Sequence, residues 1–185
     1  MGVARLLKTV VMVGMMGAGK TAVGKVLAER LGVPFKDSDA AIVEASKMSI
    51  AEIFERDGEA FFRAREAEVL ERLLRAAPCI LSTGGGVFMA ENNRKLVHNL
   101  GTSVWLDVPL PVLWSRVKGK DTRPLLRTAD PEATLRELYD ARLPLYAKAE
   151  LHVKGDGRVS VADMAGRVQV ALTQAGYLQE EIQDV

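Results

Sequence analysis

The sequence is poor in cysteine: it has one, Cys79, and only two histidines in 185 residues. An intramolecular disulfide is excluded, and one thiol with two imidazoles is no metal-ligand set. Cys79 sits in the apolar run CILS and reads as a buried strand residue rather than a nucleophile. An excess of either charge is also missing. With 25 Lys and Arg against 24 Asp and Glu, the net charge is +1. That gives no basic face for nucleic acid and no global pull toward a membrane or an acidic partner. Long hydrophobic runs are absent too. TVVMVGMMGAG is apolar but too short to cross a bilayer, and no stretch reads as a secretory signal. These absences lead us to expect a cytoplasmic protein.

What is present is a hydrophobic content of 48%, enough for a sizeable core, in a length that suits one domain over residues 1–185. Strand-like runs alternate with helical patterns. TVVMV (9–13), PFKD (34–37), CILS (79–82), SVWLDV (103–108) and LHV (151–153) read as strands. Helices are expected over 20–31, 59–76, 91–99, 109–118, 131–142 and 161–175, with a short helix opened by the capping box Ser49–Glu52 and closed at Asp57-Gly58. Such alternation implies an α/β fold with a mostly parallel sheet flanked by helices, and ligands at the carboxyl ends of the strands. The polar, basic stretch 118–130 reads as a loop, and 177–185 as a tail without order.

Gly14 to Thr21 reads GMMGAGKT, matching G-x-x-x-x-G-K-[ST] between a β-branched strand and a helix. Glycines such as Gly14, Gly17 and Gly19, with Ala18, let backbone N–H groups converge on phosphate oxygens at a helix N-terminus. Lys20 is placed to reach the β- and γ-phosphates and Thr21 to offer a hydroxyl to Mg²⁺. The chain is therefore expected to bind ATP or GTP, and one domain of this size suits a small-molecule kinase.

Further features are candidates for an acceptor site, each with a plainer alternative. Asp37 and Asp39 are two apart at a strand end and would point the same way on an extended chain, or they cap a helix. Arg63 and Glu66, three apart, are a surface ion pair or a carboxylate-binding arginine held by a glutamate. The 118–130 loop with Arg123 is a phosphate-closing lid or a solvated loop. Arg142 is a site residue or serves a helix terminus. The run Gly84-Gly85-Gly86 either turns the chain or lets something approach closer than a Cβ permits.

Taken together, GMMGAGKT, FKDSDA, the FR-x-x-E of Phe62 to Glu66, the triple glycine, RPLL at Arg123 to Leu126 and R-x-P-L-Y at Arg142 to Tyr146 resemble the shikimate kinase family in order and spacing. The resemblance implies a P-loop NTPase three-layer sandwich with a five-stranded parallel sheet and a lid. It implies transfer of the ATP γ-phosphoryl group to the 3-hydroxyl of shikimate, with Mg²⁺. A site complete within one chain leads us to expect a monomer, and the composition a protein that binds neither nucleic acid nor membrane. Carried over by position, Lys20, Asp39 and Arg123 are the catalytic residues. Arg63 and Arg142 grip the shikimate carboxylate, Asp39 binds its hydroxyl, and Gly84, Gly85 and Gly86 wall the pocket. Thr21 and Asp37 hold the metal, and Arg116 stacks on adenine. One departure is Ala149-Glu150, where the family usually has Ala-Asp, at what the resemblance makes the adenine end. A gluconate-kinase-like enzyme and a non-catalytic nucleotide-binding module are the alternatives to be tested.

Overall fold

The computed structural model describes residues 4–120 and 123–180. The five expected strands form one parallel sheet: β2 (Thr9–Val13), β3 (Phe35–Asp37), β4 (Ile80–Ser82), β5 (Gly101–Asp107) and β6 (Leu151–Lys154), ordered β3-β4-β2-β5-β6. β2 and β4 are buried along their whole length, as strands covered on both faces must be. Their residues are accordingly apolar or small, and Cys79, just ahead of β4, is buried as expected. The buried Thr9 hydroxyl is satisfied by accepting from the Cys79 N–H at 3.3 Å. The central strand β2 sends the chain to one side of the sheet and β5 receives it on the other, which leaves a crevice at its carboxyl end.

The helices are α1 (Lys20–Leu31), α2 (Ser38–Ser46), α3 (Ile50–Arg75), α4 (Glu91–Leu100), α5 (Leu110–Val117), α6 (Pro131–Tyr146) and α7 (Val161–Gln174). α1 packs against α7 and against β3 and β4, whereas α4 packs against β5 and α3. The Ser49 box caps α3, with the Glu52 N–H donating to Ser49 Oγ at 3.2 Å and the Ser49 N–H donating to Glu52 Oε2 at 2.7 Å. Gly58 interrupts α3 with φ 84 and ψ 171, so the expected break is present inside one continuous element.

Three differences from the sequence reading have physical causes. α2 lies outside the expected helices, and of the two readings of its aspartates the helix cap is the one the structure shows for Asp37. Asp37 is its N-cap, accepting from the Ala40 N–H at 3.0 Å, so Asp37 and Asp39 sit on a strand-to-helix corner and not on an extended chain. α6 was expected to stop at Arg142, ahead of Pro144. It runs to Tyr146, because a proline in the last turn removes one donor without preventing the Ala147 N–H from bonding to the Leu143 carbonyl at 3.0 Å. Finally, β1 (Ala4–Leu6) and β7 (Leu178–Glu180) form an antiparallel pair, so part of the stretch expected to lack order is a strand, and residues 181–185 lie outside the described residues. Among the described residues no helix is long and apolar enough to cross a membrane.

Candidate active site

A cavity of about 1390 Å³ opens where the five parallel strands end, lined in turn by Met16, Asp37, Ser82, Val108 and Gly155 at or just beyond β2 to β6. A pocket for one drug-sized ligand has roughly 300–1000 Å³, so this one has room for two reactants.

Met16 to Thr21 of the loop that begins at Gly14 line the cavity. Gly14, Gly17 and Gly19 have φ of 144, 82 and 94, conformations that a side chain resists. No side chain caps α1, whose first residues Lys20 and Thr21 line the cavity, so its N-terminal N–H groups are left for a ligand. Lys20 Nζ donates to the Gly14 carbonyl at 2.8 Å and the Met15 carbonyl at 3.0 Å, folding back on the loop. Burial and then the neighbouring Arg123 cation push the Lys20 ammonium down to about 8, with Asp39 opposing them. Arg116 reaches the same loop from α5 and donates to the Gly17 carbonyl at 3.0 Å. Arg123 Nε is buried with no hydrogen-bond partner. Cations crowd one spot there beside a buried donor without a partner, an arrangement that suits an anion. The stretch read as a lid contains the short turn Pro124–Leu126, and its residues 121 and 122 lie outside the described residues.

The triple glycine forms a wall. None of the three has a positive φ, so turning the chain is not what requires them. A Cβ on Gly84 would lie 3.1 Å from Asp39 Oδ1, one on Gly85 would lie 2.7 Å from Arg142 Nη1, and one on Gly86 would lie 2.6 Å from Arg63 Nη1. Each glycine thus makes room for one of the three side chains singled out from the sequence. The room is for those side chains first, whereas the family resemblance pointed to a wall of the ligand pocket. Arg63 is fixed by Glu66, with Nη1 donating to Oε1 at 2.9 Å. Glu66 is buried, which pushes its carboxyl up, and the Arg63 bond opposes that. Asp39 is also raised, by burial first and by Asp37 second, while Lys20 and Arg63 pull it down.

Several contributors were not among the candidate site residues of the sequence. Thr83 Oγ1 donates to the Met12 carbonyl at 2.9 Å and ties the wall to β2. Ser82 Oγ lies 3.3 Å from Thr21 Oγ1. The Tyr146 hydroxyl donates to the Gly85 carbonyl at 2.7 Å. These are contacts across some 60 to 70 residues, and only the Tyr belonged to a recognisable motif. The far end of the cavity is lined by Gly155, Asp156, Val159 and Ser160, a loop that the sequence reading passed over. Glu150 is not part of the lining. It accepts from Thr102 Oγ1 at 2.9 Å and the Tyr177 hydroxyl at 2.8 Å and pairs with His98 Nδ1 at 3.0 Å, so the departure at this position bears on the C-terminal segment rather than on a nucleotide base.

For a metal, the described residues contain no cluster of three or more Asp, Glu, His or Cys. Mg²⁺ suits such a place, because it keeps several waters and takes one or two carboxylates plus substrate phosphates. Thr21, Asp37 and the adjacent Ser82 hydroxyl are oxygen donors of that type on the cavity wall.

Comparison with known proteins agrees with this geometry. The shikimate kinase family model matches residues 16–173. A shikimate kinase of Ruegeria pomeroyi is 67% identical over 171 residues, covering 92% of this chain and 88% of that one. The structure of shikimate kinase from Acinetobacter baumannii in complex with shikimate superposes with a TM-score of 0.85 at 38% identity, over 91% of this chain and 94% of that one. A gluconokinase from Sinorhizobium meliloti superposes at 0.57 with 19% identity, over 92% and 94%, a likeness of fold alone.

Proposed function

The chain belongs to the shikimate kinase family, and on that premise we propose how its cavity carries the γ-phosphoryl group of ATP to the 3-hydroxyl of shikimate. The observation that supports the reading most is the glycine wall, whose three members each open space for Asp39, Arg142 and Arg63. Shikimate is a ring with one carboxylate and three hydroxyls. Two guanidinium groups clamp the carboxylate, since arginine meets a carboxylate with two parallel hydrogen bonds and lysine cannot. Glu66 holds Arg63 in position for this. Asp39 takes the hydroxyl that will react. With its carboxyl raised by burial, it orients the hydroxyl first and accepts its proton late. A strong base is not needed, because phosphoryl transfer passes through a loose transition state in which positioning and charge stabilisation dominate.

On the ATP side, Lys20 exchanges the Gly14 and Met15 carbonyls for phosphate oxygens, and the α1 N-terminus with Gly17, Ala18 and Gly19 cradles them. Arg123, with its unpartnered Nε, neutralises the group in flight. Arg116 lies against the loop toward the adenine end. Thr21 and Asp37 would hold Mg²⁺, which would supply charge neutralisation for the phosphates. Every part of the site comes from one chain, which supports a monomeric working unit.

The test is ADP release from MgATP with shikimate, with gluconate and with no acceptor. Release that requires shikimate is expected. Release with gluconate alone would discard the acceptor pocket, and none with either acceptor from folded, ATP-binding protein would make the chain a regulatory module.

A further inference from the structure

A triple glycine that admits three side chains creates a difficulty. A peptide between two glycines has no Cβ on either side to restrain it, and both left- and right-handed conformations are open to it. A wall meant to present N–H groups in fixed directions would then be the least fixed part of the site.

The Gly85 carbonyl is not free, however. It accepts from the Tyr146 hydroxyl at 2.7 Å. In a planar trans peptide the C=O and the following N–H point in opposite directions. Holding the Gly85 oxygen on the Tyr146 side therefore aims the Gly86 N–H away from Tyr146. No hydrogen bond from the Gly85 or Gly86 N–H exists among the described residues, and both residues line the cavity. The Tyr146 ring itself is rigidly seated. It is 1% exposed and stacks on Trp105 with centroids 6.3 Å apart at 26°. Trp105 in turn meets His152 edge-on at 5.1 Å and lies beside Gly14 of the phosphate loop. Burial also raises the phenol, which keeps its proton available for donation.

We propose that Tyr146 is a positioning residue: it locks the Gly85–Gly86 peptide in the orientation that offers the Gly86 N–H to the ligand, and so restores the order that the glycines give up. The proposal rests on reading this wall as part of the acceptor site. Tyr146 lies four residues after Arg142 on α6, so the helix that supplies one carboxylate-binding guanidinium also orients the backbone opposite it.

The experiment is Tyr146→Phe, which keeps the ring and deletes the donor. Steady-state kinetics are combined with relaxation dispersion on protein labelled with ¹⁵N-glycine. Loss of a single aimed donor costs about 10²-fold or more in turnover where it stabilises a full oxyanion. A flipping peptide still visits its active orientation, so a kcat loss of about tenfold is expected here, with KM for ATP unchanged. In the wild type the Gly86 amide is expected to show no microsecond-to-millisecond exchange, and in the variant to show it. Wild-type kcat in the variant, a Gly86 amide equally quiet in both proteins, or exchange already present in the wild type would each overturn the proposal. The last of these needs no variant, so poor folding of Tyr146→Phe leaves the test standing. If the wild type fails to phosphorylate shikimate, the acceptor reading falls, and the glycine relaxation still judges the lock by itself.

Discussion

Lys20 shows how a single residue couples proton and ligand. Its ammonium is held to about 8, against 10.5 unperturbed. The charged form is thus disfavoured by the fold below pH 8, and this cost is relieved as pH rises between those two values. Bound phosphates reverse the balance and favour the cation. ATP binding should therefore take up a proton once the pH passes 8, and affinity should weaken as it rises further. Calorimetry of ATP binding in buffers of different ionisation enthalpy measures this directly. Uptake that grows through that pH is expected, and none at any pH would place Lys20 away from the phosphates. At this scale the sequence was legible wherever a motif acts through its own backbone or one helical turn, as in Gly14 to Thr21 or Arg63 with Glu66. It was silent where the partner is distant. Nothing in STGGG announces that Asp39, Arg142 and Arg63 will lie against its three glycines, because that proximity is made by tertiary packing.

Elements tell a similar story. The Ser49 capping box and the break at Gly58 were readable, since both act locally. Gly58 has φ 84 and ψ 171, and a Cβ there would meet nothing within 4 Å. Its role is therefore purely one of backbone conformation. That region is nearly closed to other residues and costs on the order of 1–3 kcal/mol when forced. Gly58→Ala is expected to lower stability by about that much in urea denaturation. It should also disturb shikimate binding, because the break sets Phe54 on one half of α3 against Phe62 on the other, with the rings 4.7 Å apart and the Arg63 guanidinium 5.2 Å from the Phe62 ring centroid. Stability equal to the wild type would mean that α3 tolerates a straight path. The unread elements fail for physical reasons. α2 is short and opens on an aspartate pair whose acidity suggested chemistry. The end of α6 was hidden because a proline near the last turn looks, in sequence, like one that stops a helix.

Across the whole molecule, Glu150 joins the ends to the sheet. Its carboxylate gathers Thr102 of β5, Tyr177 just before β7 and His98 of α4. β7 in turn pairs with β1, so the two terminal segments are fastened together beside the sheet. Glu150→Ala removes the carboxylate that accepts from both the fully buried Thr102 hydroxyl and the Tyr177 hydroxyl, and is expected to cost about 1–3 kcal/mol in stability while KM for ATP stays unchanged. A raised KM at wild-type stability would return this position to the nucleotide site. The parallel sheet and its ligand edge were legible from alternation alone, whereas β1 with β7 was not, since it lies outside the strand–helix alternation and pairs Ala4–Leu6 with Leu178–Glu180 across nearly the whole sequence. The central claim is that shikimate lies against the glycine wall between two arginines. A crystal structure with MgADP and shikimate tests it most directly. The carboxylate is expected between Arg63 and Arg142, one hydroxyl on Asp39 and ring atoms against Gly84 to Gly86. Shikimate bound elsewhere in the cavity, with either arginine turned away, would contradict it.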